Sequence, residues 1–141
     1  MKGNESTSYG TVIRVENGAE VVIRASESAI EIEENKLASE SVISIENAKV
    51  EIEGLFIASG NEAINGGVIN AKDSKVVLRK ELKIENNYAE KGGAFYLDNT
   101  ELNIASYTNI KGNRARKEGG AIYIKAKETR EAVDLVKQIR G

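Results

Sequence analysis

The sequence predicts an all-β fold, a parallel β-solenoid in which three short strands make one coil of about 26 residues. Asn35, Asn61, Asn87 and Asn113 are each 26 residues apart. Gly-Gly pairs at 66–67, 92–93 and 119–120 recur at steps of 26 and 27, each followed by a small or branched residue and an apolar alternation. Between these marks, short runs with apolar side chains at every second position are separated by Asn, Asp, Gly and Ser, the pattern of half-buried strands and turns. A fixed period of this length means stacked, equivalent coils, each too small to bury its apolar face alone.

Residues 1–10 are polar and rich in turn formers, and are read as a lead-in or cap without a strand pattern. From Thr11 the coils begin. The first strand of each coil reads Val12-Ile13-Arg14-Val15, Val42-Ile43-Ser44-Ile45, Val68-Ile69-Asn70-Ala71, Ala94-Phe95-Tyr96-Leu97 and Ala121-Ile122-Tyr123-Ile124. Turning the second and fourth of each set inward stacks Ile13, Ile43, Ile69, Phe95 and Ile122 in one row. Val15, Ile45, Ala71, Leu97 and Ile124 form the next. Phe95 then lies one coil from Ala71, a volume compensation that close packing demands. The second strand offers Val21 and Ile23, Val50 and Ile52, Val76 and Leu78, Leu102 and Ile104. The third offers Ile30 and Ile32, Phe56 and Ala58, Leu82 and Ile84, Thr108 and Ile110. Leu37, Ala63, Ala89 and Ala115, two residues past each repeated Asn, suit a corner that turns into the next coil.

The solenoid pattern ends at Ile124. Lys127 to Arg140 has strong helix propensity and puts Ala132, Val133, Val136 and Ile139 on one side, with Thr129 as a candidate N-cap and Gly141 after the end. A C-terminal capping α-helix over 127–141 is therefore expected to cover the open end of the stack. The predicted organisation is one domain over 1–141: lead-in 1–10, coils 11–126, helix 127–141.

Composition narrows the function. With no Cys and no His among 141 residues, no disulfide, thiolate site, cysteine nucleophile or imidazole base can be argued. No apolar run approaches a membrane span, and Met1 to Ser6 lacks the apolar stretch of a signal peptide. Residues 1–70 carry 5 basic and 12 acidic side chains, net −7, whereas 71–141 carry 15 and 10, net +5. Such a dipolar rod could associate end to end. Proline and Trp are also absent, where average usage would give roughly seven prolines. Four missing residue types, with Lys and Glu dominating the charges, point to a sequence chosen to fit an idealised backbone.

The stretches IENNYAEKGGAFYL at 84–97 and IKGNRARKEGGAIYI at 110–124 resemble the repeats of the polymorphic outer-membrane proteins and related autotransporter passengers, which alternate hydrophobic-x-x-Asn with Gly-Gly-Ala-Ile. The resemblance spans roughly residues 28–124. It implies a right-handed, single-stranded parallel β-helix with three sheets, and some of those passengers act as adhesins. Ile32, Ala58, Ile84 and Ile110 stand where the family usually has Phe, and Glu40-Ser41 and Tyr9-Gly10 replace Gly-Gly in the first coils.

The Asn ladder of Asn35, Asn61, Asn87 and Asn113 is read as an internal amide stack at a corner, asparagine tolerating a left-handed backbone there. Asn47, Asp73 and Asn99, also 26 apart, are read the same way. The Gly-Gly pairs serve turns with positive φ; none precedes the Gly-Lys-Ser/Thr of a phosphate loop. Glu31 with Glu33 and Glu51 with Glu53 could form an acidic patch of the kind polysaccharide-cleaving β-helices use, but Arg24, Lys36 and Lys49 would neutralise it. The outward row Arg14, Ser44, Asn70, Tyr96 and Tyr123 could receive a partner. Lys111, Arg114, Arg116 and Lys117 could touch a polyanion, although no aromatic residues interleave them. The expectation is thus a structural scaffold, not an enzyme, that requires no cofactor or metal, binds neither nucleic acid nor membrane, and is a monomer. An adhesin-like module with a flat lateral face is the alternative.

Overall fold

The computed structural model describes residues 1–6, 11–37, 41–104 and 107–126, and of residues 5–6 the backbone only. It is an all-β parallel solenoid of about four turns, with no helix among the described residues. The helix expected over 127–141 lies outside them.

Alternating sequences become strands here because each strand can bury one side against the coil interior while its backbone pairs with the coils above and below. The first sheet stacks Ile13–Glu16, Ile43–Glu46, Ile69–Lys72, Phe95–Asp98 and Ile122–Lys125. The second stacks Glu20–Arg24, Lys49–Glu53, Lys75–Arg79 and Glu101–Ile104. The third stacks Ile30–Glu33, Phe56–Ser59, Leu82–Glu85 and Thr108–Lys111. Pairing is parallel throughout and joins like to like: Phe95 lies between Ile69 and Ile122, and Leu97 between Ala71 and Ile124. Both phenylalanines, Phe56 and Phe95, are fully buried with the small Ala58 and Ala71 close by in the same core.

Three differences from the sequence reading have physical causes. A fourth line of pairing runs along the corner that follows each Asn. There Glu5–Ser6 pairs with Lys36–Leu37, single bridges join Lys36 to Glu62 and Glu62 to Tyr88, and Tyr88–Lys91 pairs with Arg114–Glu118. Lys36, Glu62, Tyr88 and Arg114 carry no β-branched signature. They pair because the coils on either side already hold their backbones one strand spacing apart. The lead-in is the second difference: Lys2 bridges Glu33, and Gly3 N–H donates to the Glu33 carbonyl at 3.0 Å, so residues 1–6 are the end of a further turn and not an unpatterned cap. Third, Val42, Val68 and Ala94 are buried along with the residues that follow them. Strict alternation would turn them outward, but they sit before the strands proper, where the backbone still turns out of the corner at Ser41, Gly67 or Gly93, and Val68 N–H donates to the Ala94 carbonyl at 2.8 Å.

Candidate functional site

Buried polar side chains are few. Among the described residues they are Asn35, Ser41, Asn61, Asn87 and Thr100. Three of the five belong to the ladder, whose hydrogen bonds repeat from coil to coil. Asn35 donates its backbone N–H at 3.1 Å and its amide at 2.8 Å to Asn61 Oδ1. Asn61 does the same to Asn87 Oδ1 at 3.0 and 2.9 Å, and Asn87 to Asn113 Oδ1 at 2.9 Å for both. The second amide N–H points the other way: Asn61 Nδ2 to the Ile32 carbonyl at 2.9 Å, Asn87 Nδ2 to that of Ala58 at 3.0 Å, Asn113 Nδ2 to that of Ile84 at 2.7 Å. An amide has two donors and one doubly accepting oxygen, so Asn61 and Asn87 use their whole capacity inside the protein. They have none left for a ligand.

The ladder has a member that the 26-residue spacing hides. Asn4 donates its backbone N–H at 2.9 Å and its amide at 2.7 Å to Asn35 Oδ1, across 31 residues. A smaller hydroxyl ladder serves another corner, where Ala48 N–H donates to Ser74 Oγ at 3.1 Å and Ser74 N–H to Thr100 Oγ1 at 3.3 Å. Residues 48, 74 and 100 also stand 26 apart, which is the signal that would have found it.

The lateral row Arg14, Ser44, Asn70, Tyr96 and Tyr123 is brought together on the outer face of the first sheet, each residue opposite the next. Its aromatic end is organised. The Tyr96 and Tyr123 rings stack with centroids 5.0 Å apart and planes 14° from parallel, and Lys91 Nζ lies 5.1 Å from the centre of the Tyr123 ring. Burial pushes the Tyr96 phenol above its ordinary range, helped by the Asp98 carboxylate, while Glu118, 3.4 Å from Lys91, holds that ammonium above its own. Lys91 joins this cluster from the neighbouring corner, a placement that sequence rows within a single sheet cannot reveal.

The other charged candidates are engaged or separated. Glu31 and Glu33 stand on the third sheet, Glu51 and Glu53 on the second, so the two pairs do not form one acidic patch. Glu53 holds Arg24 at 2.7 Å, and Glu51 lies 3.1 Å from Lys49 and 3.6 Å from Arg79. Lys49 and Arg79 keep the Glu51 carboxyl below the usual range. In the basic cluster, Lys111 lies 3.5 Å from Glu85, and Lys117 and Arg116 lie 2.9 and 3.9 Å from Glu90, whose carboxyl they hold low. Tyr88, opposite Arg114, supplies an aromatic neighbour that the linear sequence does not suggest. No group of three or more Asp or Glu side chains capable of holding a metal ion occurs among the described residues.

Residues 107–125 match the family model of the Chlamydia polymorphic membrane protein repeat. These residues span the third-sheet strand, the Asn113 corner, the Gly119-Gly120 pair and the whole of the last first-sheet strand, so the matched repeat corresponds to most of one coil. Its Asn supplies the ladder oxygen for Asn87, and its Gly-Gly-Ala-Ile opens the next coil. No curated protein and no solved structure matches the chain.

Proposed function

We propose that this protein is a structural β-solenoid module, a right-handed scaffold of idealised sequence whose residues are spent on holding coil to coil and not on a reaction. The observation that carries this reading is the ladder. Its buried amides complete their hydrogen bonds with one another and with backbone carbonyls, which is what a polar element does when its task is to fix register. Pairing of Glu53 and Glu85 with cations on neighbouring strands supports it, as do Glu51 and Glu90, because a carboxylate held low by adjacent ammonium and guanidinium groups, as these two are, is a poor general acid. The match of most of one coil to a polymorphic membrane protein repeat is consistent with a repeat module. Right-handed winding follows from the usual hand of parallel crossovers. The test is turnover on a panel of polysaccharides. No cleavage is expected; activity lost on Glu31→Gln or Glu51→Gln would overturn the reading.

A second reading is favoured by the Tyr96–Tyr123 stack with Lys91 at its side. Paired aromatic rings beside a cation, on a flat outer face, form an adhesin-like surface for a glycan or protein partner. Specific capture on a glycan or protein array, abolished by Tyr96→Ala and Tyr123→Ala with the fold intact by circular dichroism, would establish it over the first.

A further inference from the structure

The ladder has a direction, and its two ends are complementary. Every member donates its backbone N–H and one amide N–H forward to the oxygen of the next, from Asn4 through Asn35, Asn61 and Asn87 to Asn113. At the start of the series, Asn4 Oδ1 receives no donor from any described residue. At the finish, the backbone N–H and one amide N–H of Asn113 meet no acceptor among the described residues. One end is an acceptor and the other a pair of donors.

The same holds for the first sheet and for charge. Its terminal strands, Ile13–Glu16 and Ile122–Lys125, each have an outer edge that pairs with no described strand. Ile13, Ile122 and Ile124 are half-buried there, whereas Ile43, Ile69 and Phe95 in the same rows are fully buried. Exposed edges and half-covered core rows of this kind are templates for another strand. Residues 1–36 carry 4 basic and 7 acidic side chains, net −3, while residues 101–125 carry 5 and 2, net +3. In the row Glu16, Glu46, Lys72, Asp98, Lys125, the next position after Lys125 would take Glu16 of another molecule.

We infer that a second copy of this chain docks its N-terminal end on the C-terminal end of the first, head to tail. Asn113 donates to Asn4 of the incoming copy, Ile122 and Ile124 are covered by its Ile13 and Val15, and Lys125 meets its Glu16. The contact joins different surfaces and does not close on itself, so it generates linear filaments. One row opposes it: Lys111 falls opposite Lys2, but each lies within 4 Å of a carboxylate, Glu85 at 3.5 Å and Glu33 at 3.7 Å. The inference goes beyond the module reading and is independent of the lateral tyrosines.

The test is sedimentation velocity of the full chain across a concentration series at low and high salt. A series of species growing with concentration and receding with salt is expected. Glu16→Lys alone and Lys125→Glu alone should each weaken association by about tenfold or more, since a like-charge pair replaces an opposite one. An equimolar mixture of the two variants should associate again, because every junction between unlike copies restores an opposite pair. Asn4→Leu, which removes the acceptor without changing charge, should also weaken association. A wild-type chain that stays monomeric at all concentrations would overturn the inference and assign the C-terminal end to residues 127–141. Single variants that associate like the wild type, or a mixture that does not recover, would overturn it equally.

Discussion

Two corners of each coil use asparagine at the same 26-residue spacing, for opposite reasons. At one corner Asn47, Asp73 and Asn99 have φ of 48, 48 and 47°, the left-handed region in which Asn and Asp are the least strained residues after Gly. All three lie toward solvent. At the ladder corner Asn35, Asn61 and Asn87 are at most 1% exposed and have ordinary negative φ; the left-handed residue is the one before each, Glu34, Gly60 and Asn86, with φ of 53, 65 and 56°. The expectation that the ladder asparagines owe their place to a left-handed backbone is therefore corrected. Their place is owed to the amide, which alone among uncharged side chains of that size both donates and accepts in two directions. Identical spacing reports that positions are equivalent, not why.

The sharpest way to break this comparison is one substitution at each corner. Asn61→Ala leaves the Asn35 backbone N–H and amide without their acceptor and the Ile32 carbonyl without its amide donor, all in a dry interior. At about 1–3 kcal/mol for each buried group left unpaired, a loss of about 3–5 kcal/mol is expected in chemical denaturation. Asn99→Ala keeps a left-handed residue with a Cβ but gives up the contact of Asn99 Nδ2 with Asp73 Oδ1, and should cost only about 1 kcal/mol. Asn99→Gly should be nearly neutral. Equal losses at the two corners would mean that both serve the same purpose.

The Gly-Gly corner divides in the same way between conformation and space. Gly92 has φ of 60°, so its reason includes backbone freedom. Gly93 does not, yet a Cβ there would overlap the backbone of Arg114 and the Gly120 carbonyl, in the same coil and the next. Close approach of coils, not turn geometry, excludes a side chain at the second glycine. Gly93→Ala should therefore cost about 1–3 kcal/mol by overpacking, or more if the Arg114 backbone cannot yield. A thermal melt of that variant distinguishes the two explanations, since a purely conformational role would leave it close to wild type.

The strand rows were legible because one coil is one period, so that positions 26 apart could be superposed without knowing any angle; the pairings of Ile43 with Ile69 and Leu82 with Phe56 follow from that alone. Where the period breaks, legibility ends. The first coil is longer, 30 residues from Ile13 to Ile43 and 31 from Asn4 to Asn35, which hid both the ladder role of Asn4 and the pairing of residues 1–6. The fourth line was invisible for a different reason: Lys36, Glu62, Tyr88 and Arg114 pair through backbone that neighbouring strands have already placed, and side-chain pattern carries no trace of it. The Lys91 contact to Tyr123 joins two corners and has no signature in any single row.

Ser41 tests the same distinction between a used and an unused polar group with a gain instead of a loss. It is fully buried where later coils have Gly67 and Gly93, and its hydroxyl has no hydrogen-bond partner among the described residues. Removing a buried, unpaired hydroxyl without opening much space should stabilise, so Ser41→Ala is expected to raise the denaturation free energy by up to about 1 kcal/mol. A loss of similar size would mean that the hydroxyl has a partner.

The smallest effect concerns the outer faces, where charge pairs and not buried amides join the coils. Lys117 and Arg116 hold the Glu90 carboxyl below its ordinary range, and Lys49 with Arg79 do the same for Glu51. A carboxyl depressed in the folded state adds stability that is present above its unfolded pKa, about 4.3, and is lost as pH falls through the lower folded value. Melting temperature should thus fall gently on acidification below about pH 4.3, and less so in Glu90→Gln, which has already given up its share. Raised salt should shrink the same difference, because these pairs are open to solvent. The ladder, uncharged and dry, should respond to neither, so an acid transition as large as the Asn61→Ala loss would place the coil-to-coil adhesion on the surface instead of at the buried corner.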